Sequence, residues 1–199
     1  GGNITATDLF GTDAANSLAT VTMAATSAGD ISIGSIDADT TDSVTDTDMT
    51  MTLSASGAGS SVVLDDVTST FGTITAAISG DQEVSFTNST GVITANEITI
   101  TREGSGASTF DSLDATTNLT LTHNGTGTLT VTAADADTAA TVSATSSGVL
   151  SYTSTSTDSV TVTGGSSGDT ISLSGTTGSS DVHSVDGGAG ADTITGGAG

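Results

Sequence analysis

A chain of 199 residues with 23 acidic side chains, a single basic one (Arg102) and a formal net charge of −22 is a poor partner for nucleic acid, whose phosphates are met by Lys and Arg. It contains no cysteine, so no disulfide framework holds it, and no apolar run long enough to span a bilayer or to follow a basic start as a signal peptide. Charge and an aromatic content of 3% favour disorder, but the absence of proline, a mean hydropathy of +0.12 and recurring β-branched runs predict a folded, β-rich chain.

The predicted elements are short strands separated by Gly, Asn, Asp and Ser. In chain order they are Ala19–Met23, Ile31–Ile36, Met49–Leu53, Val62–Leu64, Thr73–Ile78, Val84–Phe86 and Glu97–Thr101. Then follow Leu119–Thr122, Thr128–Thr132, Thr141–Ala144, Val149–Tyr152, Ser159–Thr163, Asp169–Leu173 and Asp192–Thr195. Alternation such as Leu119-Thr120-Leu121-Thr122 has the period of a half-buried strand, and no helical period of useful length occurs. Leu9-Phe10 is expected in a short turn or cap. The class is all-β. A β-solenoid or parallel β-roll is favoured over tandem Ig-like β-sandwiches, whose cores usually need larger residues than a chain with no Trp and one Tyr provides.

The last residues carry the most specific pattern. Gly187 to Thr195 reads GGAGADTIT and fits G-G-x-G-x-D-x-U-x, with U a large apolar residue, at every fixed position. Gly187, Gly188 and Gly190 allow a tight turn whose carbonyls face inward. Asp192 adds a carboxylate, giving the hard oxygen donors that Ca²⁺ prefers, and Ile194 starts a short strand. Gly164 to Ser172 is a degenerate copy, which keeps Gly164, Gly165, Asp169 and Ile171 but has Ser167 for the third glycine. Asp158 and Asp181 are 23 residues apart, as are Asp169 and Asp192, and the same offset aligns Val162 with Val185. It reads as one coil with an insertion at Leu173 to Ser180.

These residues resemble the RTX family of secreted bacterial proteins, whose strict rolls repeat every nine residues. The resemblance implies Ca²⁺ held by Asp192, Asp169, Gly187, Gly188, Gly190, Gly164 and Gly165, with Asp158 and Asp181 as further ligands. Residues 158–199 form the RTX-like calcium-binding part. Residues 1–157 form a Thr/Ser/Ala-rich strand-repeat region, and the chain reads as a segment of a longer protein.

Other acidic groups invite the same question. Asp37, Asp39, Asp42, Asp46 and Asp48 lie within twelve residues. Asp65-Asp66, Asp111 with Asp114, and Asp135 with Asp137 are smaller groups, read as solvated loops. None matches the EF-hand loop. Enzyme signatures are absent: there is no G-x-S-x-G, H-E-x-x-H or P-loop. The two histidines, His123 and His183, are expected as exposed turn or strand residues.

T-x-T recurs at Thr20/Thr22, Thr50/Thr52, Thr73/Thr75, Thr99/Thr101, Thr120/Thr122, Thr130/Thr132, Thr161/Thr163 and Thr193/Thr195. Such pairs resemble the ice-binding faces of some antifreeze solenoids. Gaps of 30, 23, 26, 21, 10, 31 and 32 residues argue against a flat array, so Thr is expected simply as the outward residue of polar strands.

The composition, with the RTX-like end, looks most like the secreted surface-layer proteins of Gram-negative bacteria. The expected function is therefore a structural subunit of a calcium-dependent extracellular lattice, not an enzyme. Its main partner is itself, with cell-surface polysaccharide engaged outside this chain and neither nucleic acid nor membrane insertion involved. The alternatives are a calcium-dependent RTX adhesin, a biofilm matrix or fibre protein, and, less favoured, an ice-binding solenoid.

Overall fold

The computed structural model describes residues 3–10, 20–37, 48–87, 91–176 and 182–197. Sixteen strands occur among them: β1 (Ile4–Phe10), β2 (Thr20–Ala25), β3 (Asp30–Asp37), β4 (Met49–Ala55), β5 (Ser61–Gly80), β6 (Glu83–Phe86), β7 (Val92–Arg102), β8 (Ser108–Phe110), β9 (Ser112–His123), β10 (Leu129–Ala136), β11 (Ala139–Ala144), β12 (Leu150–Ser154), β13 (Ser159–Thr163), β14 (Thr170–Ser172), β15 (Ser184–Asp186) and β16 (Thr193–Thr195). Every strand pairing among them is parallel. A short Thr/Val strand cannot bury its apolar side alone, so each coil stacks on the next as a β-solenoid.

Three faces wind around one core. The first face stacks the starts of β1, β3 and β5, then β6, β8, the start of β10, β12, β14 and β16. The third face stacks β2, β4, the end of β5, the ends of β7 and β9, β11, β13 and β15. The second face lies between them, formed by the ends of β1 and β3, the middle of β5, the first halves of β7 and β9, and the end of β10. The register shifts fall at the bends between faces, between Ser69 and Thr73, Ala95 and Glu97, and Val131 and Ala134.

Alternation within each strand decides what lies inside. In β4, Met49, Met51, Leu53 and Ala55 are buried while Thr50 and Thr52 are exposed. Like residues then stack coil over coil. On the first face Leu64, Phe86, Phe110, Val131, Tyr152 and Ile171 form one inward column. Phe86 and Phe110 stack with ring centroids 4.9 Å apart and planes 17° apart. Burying such side chains contributes ~1.5–3 kcal/mol each, the main force opposing the repulsion of the acidic surface.

The solenoid expected from the alternation is observed, and the sandwich alternative, built on antiparallel pairs, is not. Two local expectations are corrected. Leu9-Phe10 belongs to β1, paired with Ile36 and Asp37 of β3, rather than to a turn or cap. Beyond the end of the expected Ile31–Ile36 strand, the strand segments of the second face were not anticipated, because stretches such as Leu113-Asp114-Ala115 and Ala134-Asp135-Ala136 place Asp and Ala where a strand signal wants large β-branched residues.

Candidate metal centre

The 23-residue offset is one coil. Val162 pairs with Val185, Thr170 with Thr193 and Ile171 with Ile194. This register sets Asp192 over Asp169, and Asp169 over Leu150, at the bend where the third face turns into the first. The inward column that runs through Val84, Ser108, Leu129 and Leu150 therefore changes from apolar to acidic in its last two coils.

A carboxylate in an apolar column needs partners. Asp169, only 1% exposed, accepts the Leu150 N–H at Oδ1 (2.8 Å) and the Gly165 N–H at Oδ2 (2.8 Å). Asp192 Oδ1 accepts the Asp169 N–H at 2.9 Å. Each aspartate thus ties its own coil to the one before it through charge-assisted bonds, roughly twice as strong as neutral ones.

The motif glycines have a direct reason. A Cβ added to Gly164 would stand 2.6 Å from Asp169 Oδ2, and one added to Gly187 would stand 2.6 Å from Asp192 Oδ2. In both copies the carboxylate lies where a side chain at the first glycine would be. Gly188 and Gly190 adopt φ of +80° and +127°, which L side chains rarely adopt. Gly165 has no such angle, so the degenerate turn reaches the same aspartate position by a different backbone path.

These residues fit a hard cation in donor chemistry. Two stacked carboxylates and the carbonyls of adjoining glycine turns are all oxygen, and an ionised carboxylate has about four acceptor sites, more than the backbone N–H groups use here. Asp169, Asp192, Gly164, Gly165, Gly187, Gly188 and Gly190 are brought together. Asp158 is not. It lies at the bend before β13, where its N–H donates to Ser156 Oγ (3.3 Å). Asp181 is outside the described residues. Among the described residues no group of three or more His, Asp or Glu side chains is disposed to hold a metal, so carbonyls must supply much of any coordination shell.

The other acidic groups take separate places. Asp39, Asp42 and Asp46 lie outside the described residues. Asp48 Oδ1 accepts the Thr73 N–H (2.9 Å), Asp65 Oδ1 the Gly91 N–H (3.0 Å) and Asp66 Oδ1 the Val92 N–H (3.1 Å), so these aspartates hold bends between coils. Asp114 and Asp135 pair in register on the second face. Burial, then the neighbouring Asp137 and Asp114 charges, raise the Asp135 carboxyl above its usual range.

Both histidines are placed differently from expectation, His183 being half-buried. His123 is fully buried rather than exposed, stacked on Arg102 in the column that continues from Ile78. A parity count would have found it, since His123 lies two residues beyond inward Leu121. His123 Nε2 is 3.0 Å from the Gly127 carbonyl, and Arg102 Nη2 donates to the Gly106 carbonyl. Burial lowers the pKa of both side chains.

The threonine register is the second correction. Thr20, Thr50, Thr75, Thr99, Thr120, Thr141 and Thr161 align coil over coil on the third face, ending at Ser184. A parallel column runs through Thr22, Thr52, Ala77, Thr101, Thr122, Ser143, Thr163 and Asp186. Uneven sequence gaps do not break the array, because the extra residues sit in bends and on the other faces. Thr73, Thr130/Thr132 and Thr193/Thr195 fall outside these two columns, and Thr141 joins them without a T-x-T partner.

Comparison with protein-family models, with curated proteins and with solved structures finds no match to this chain.

Proposed function

We propose that this chain is a structural segment of a secreted bacterial surface-layer subunit, in which calcium fastens a β-solenoid and copies assemble around the cell. The observation that carries the reading is the registered pair of Asp169 and Asp192, each folded over the first glycine of its own turn and bonded to the preceding coil. Calcium bound by these carboxylates and glycine-turn carbonyls would neutralise part of the −22 charge and link successive turns. The chain's own residues align the strands and keep apolar columns dry.

Self-association follows from the same features. Large exposed apolar side chains are few among the described residues, so contacts between copies draw on Asp carboxylates, backbone oxygens and strand edges rather than on a greasy patch. Electron microscopy of native material tests this, with calcium and after chelation. A two-dimensional lattice that dissolves on chelation is expected. Calcium-dependent single rods without a lattice would replace the surface-layer reading with an adhesin. A lattice indifferent to chelator would remove calcium from the account.

A further inference from the structure

The third face is unlike the rest of the molecule. Its two central outward columns are almost entirely threonine, with hydroxyl side chains at all but Ala77 and Asp186, and none of these residues is buried. In a chain of net charge −22, the columns carry a single ionisable group, at the last coil. The register along this face is unbroken from β2 to β15, because every shift falls at a bend.

The geometry points to an ice-binding face: the threonine columns present a rigid, neutral, two-dimensional array of hydroxyl and methyl groups that adsorbs to the surface of an ice crystal. Parallel strands set the rows ~4.8 Å apart along the solenoid axis, and alternate residues lie ~6.6 Å apart along each strand. The row spacing is near an oxygen repeat of the ice lattice. Side chains that are stiff at χ1 and fixed on a packed sheet lose little freedom on binding an ordered surface. A neutral face suits an uncharged solid, whereas an ionic partner or a protein hot spot would call for charges or large aromatic anchors. Apart from Asp186, the acids nearest the columns are Asp48, Glu97 and Glu103, each two residues along the chain from a column threonine. The inference stands apart from the calcium and lattice reading, since it rests on the outward threonine columns and not on Asp169 or Asp192.

Ice-binding activity is read as thermal hysteresis and as adsorption of fluorescently labelled protein to a growing ice hemisphere, with calcium present. The wild-type chain is expected to shape ice and show hysteresis. Thr99→Tyr and Thr120→Tyr, which raise a bulky ring in the middle of the array, should each cut hysteresis at least tenfold. Thr130→Tyr, outward on the first face, should leave it unchanged. Circular dichroism and melting temperature verify that each variant is folded. If a tyrosine variant fails to fold, Thr120→Ser, which deletes one methyl group, should still lower hysteresis severalfold. Folded wild-type protein with neither hysteresis nor adsorption would overturn the inference. So would equal losses in Thr120→Tyr and Thr130→Tyr, or a Thr120→Tyr effect confined to self-association.

Discussion

Removing one ring from the middle of the solenoid should cost far more than its size suggests. Phe110 is fully buried, stacked on Phe86 and registered on Val131. Phe110→Ala loses the transfer free energy of the ring and leaves a cavity, together ~3–5 kcal/mol, and forfeits an aromatic pair that is worth ~0.5–1.5 kcal/mol on its own. Collapse is restricted, because the strands on either side are fixed by ladders to further coils. A total near 4 kcal/mol, divided by a urea m-value of ~2–3 kcal/mol/M, shifts the midpoint by about 1.3–2 M. Coils interact only with their neighbours, so a weak central interface should also separate the two halves, and unfolding followed by far-ultraviolet circular dichroism should broaden or become biphasic. Thr109→Ala, on the outward side of the same strand, is the control. A Phe110→Ala loss below about 1 kcal/mol, or one equalled by Thr109→Ala, would refute the column-packing argument.

Asp169→Asn should destabilise by ~1–3 kcal/mol even without calcium, because the NH2 group that replaces one carboxylate oxygen leaves either the Leu150 or the Gly165 N–H without an acceptor; chemical denaturation measures it. Gly187→Ala should lower stability and calcium affinity together, since its Cβ would press on the Asp192 carboxylate; calorimetric titration reads the second effect. Burial lowers the His123 pKa, so between its unfolded and folded values the unfolded chain binds the proton and the native chain does not. Stability should therefore fall as pH drops from about 7.5 to 5.5, near the ordinary histidine value of ~6.5, and His123→Gln should flatten that part of the melting-temperature profile.

Much of the fold was legible because parity is local. Leu119-Thr120-Leu121-Thr122 states its own inside and outside, and the repetition of such segments without large aromatic residues implies stacking. The 23-residue offset named one coil and its register before any coordinates. The second face was hidden because parallel stacking, rather than propensity, holds Asp and Ala in strands there. The burial of His123 was hidden because residue type outweighed parity. The threonine array was hidden for a related reason: a solenoid absorbs uneven coil lengths at its bends, so regularity in space does not need regularity in sequence. At the candidate metal centre the glycines and aspartates were readable as oxygen donors. That Asp169 is buried and already bonded to the backbone required the stack itself.

The central claim is that calcium fastens the coils at Asp169 and Asp192. Calorimetric melting of the chain in millimolar calcium and in excess chelator tests it most directly, beside the double variant Asp169→Asn/Asp192→Asn and a sodium chloride control. Calcium at about 100 times its Kd adds ~2.7 kcal/mol. At ~2–4 °C per kcal/mol for a chain of this size, the wild-type melting temperature should rise by roughly 5–10 °C. The double variant should lose most of that rise, and sodium chloride should not reproduce it. Equal melting temperatures in calcium and chelator, or an equal rise in the double variant, would contradict the account.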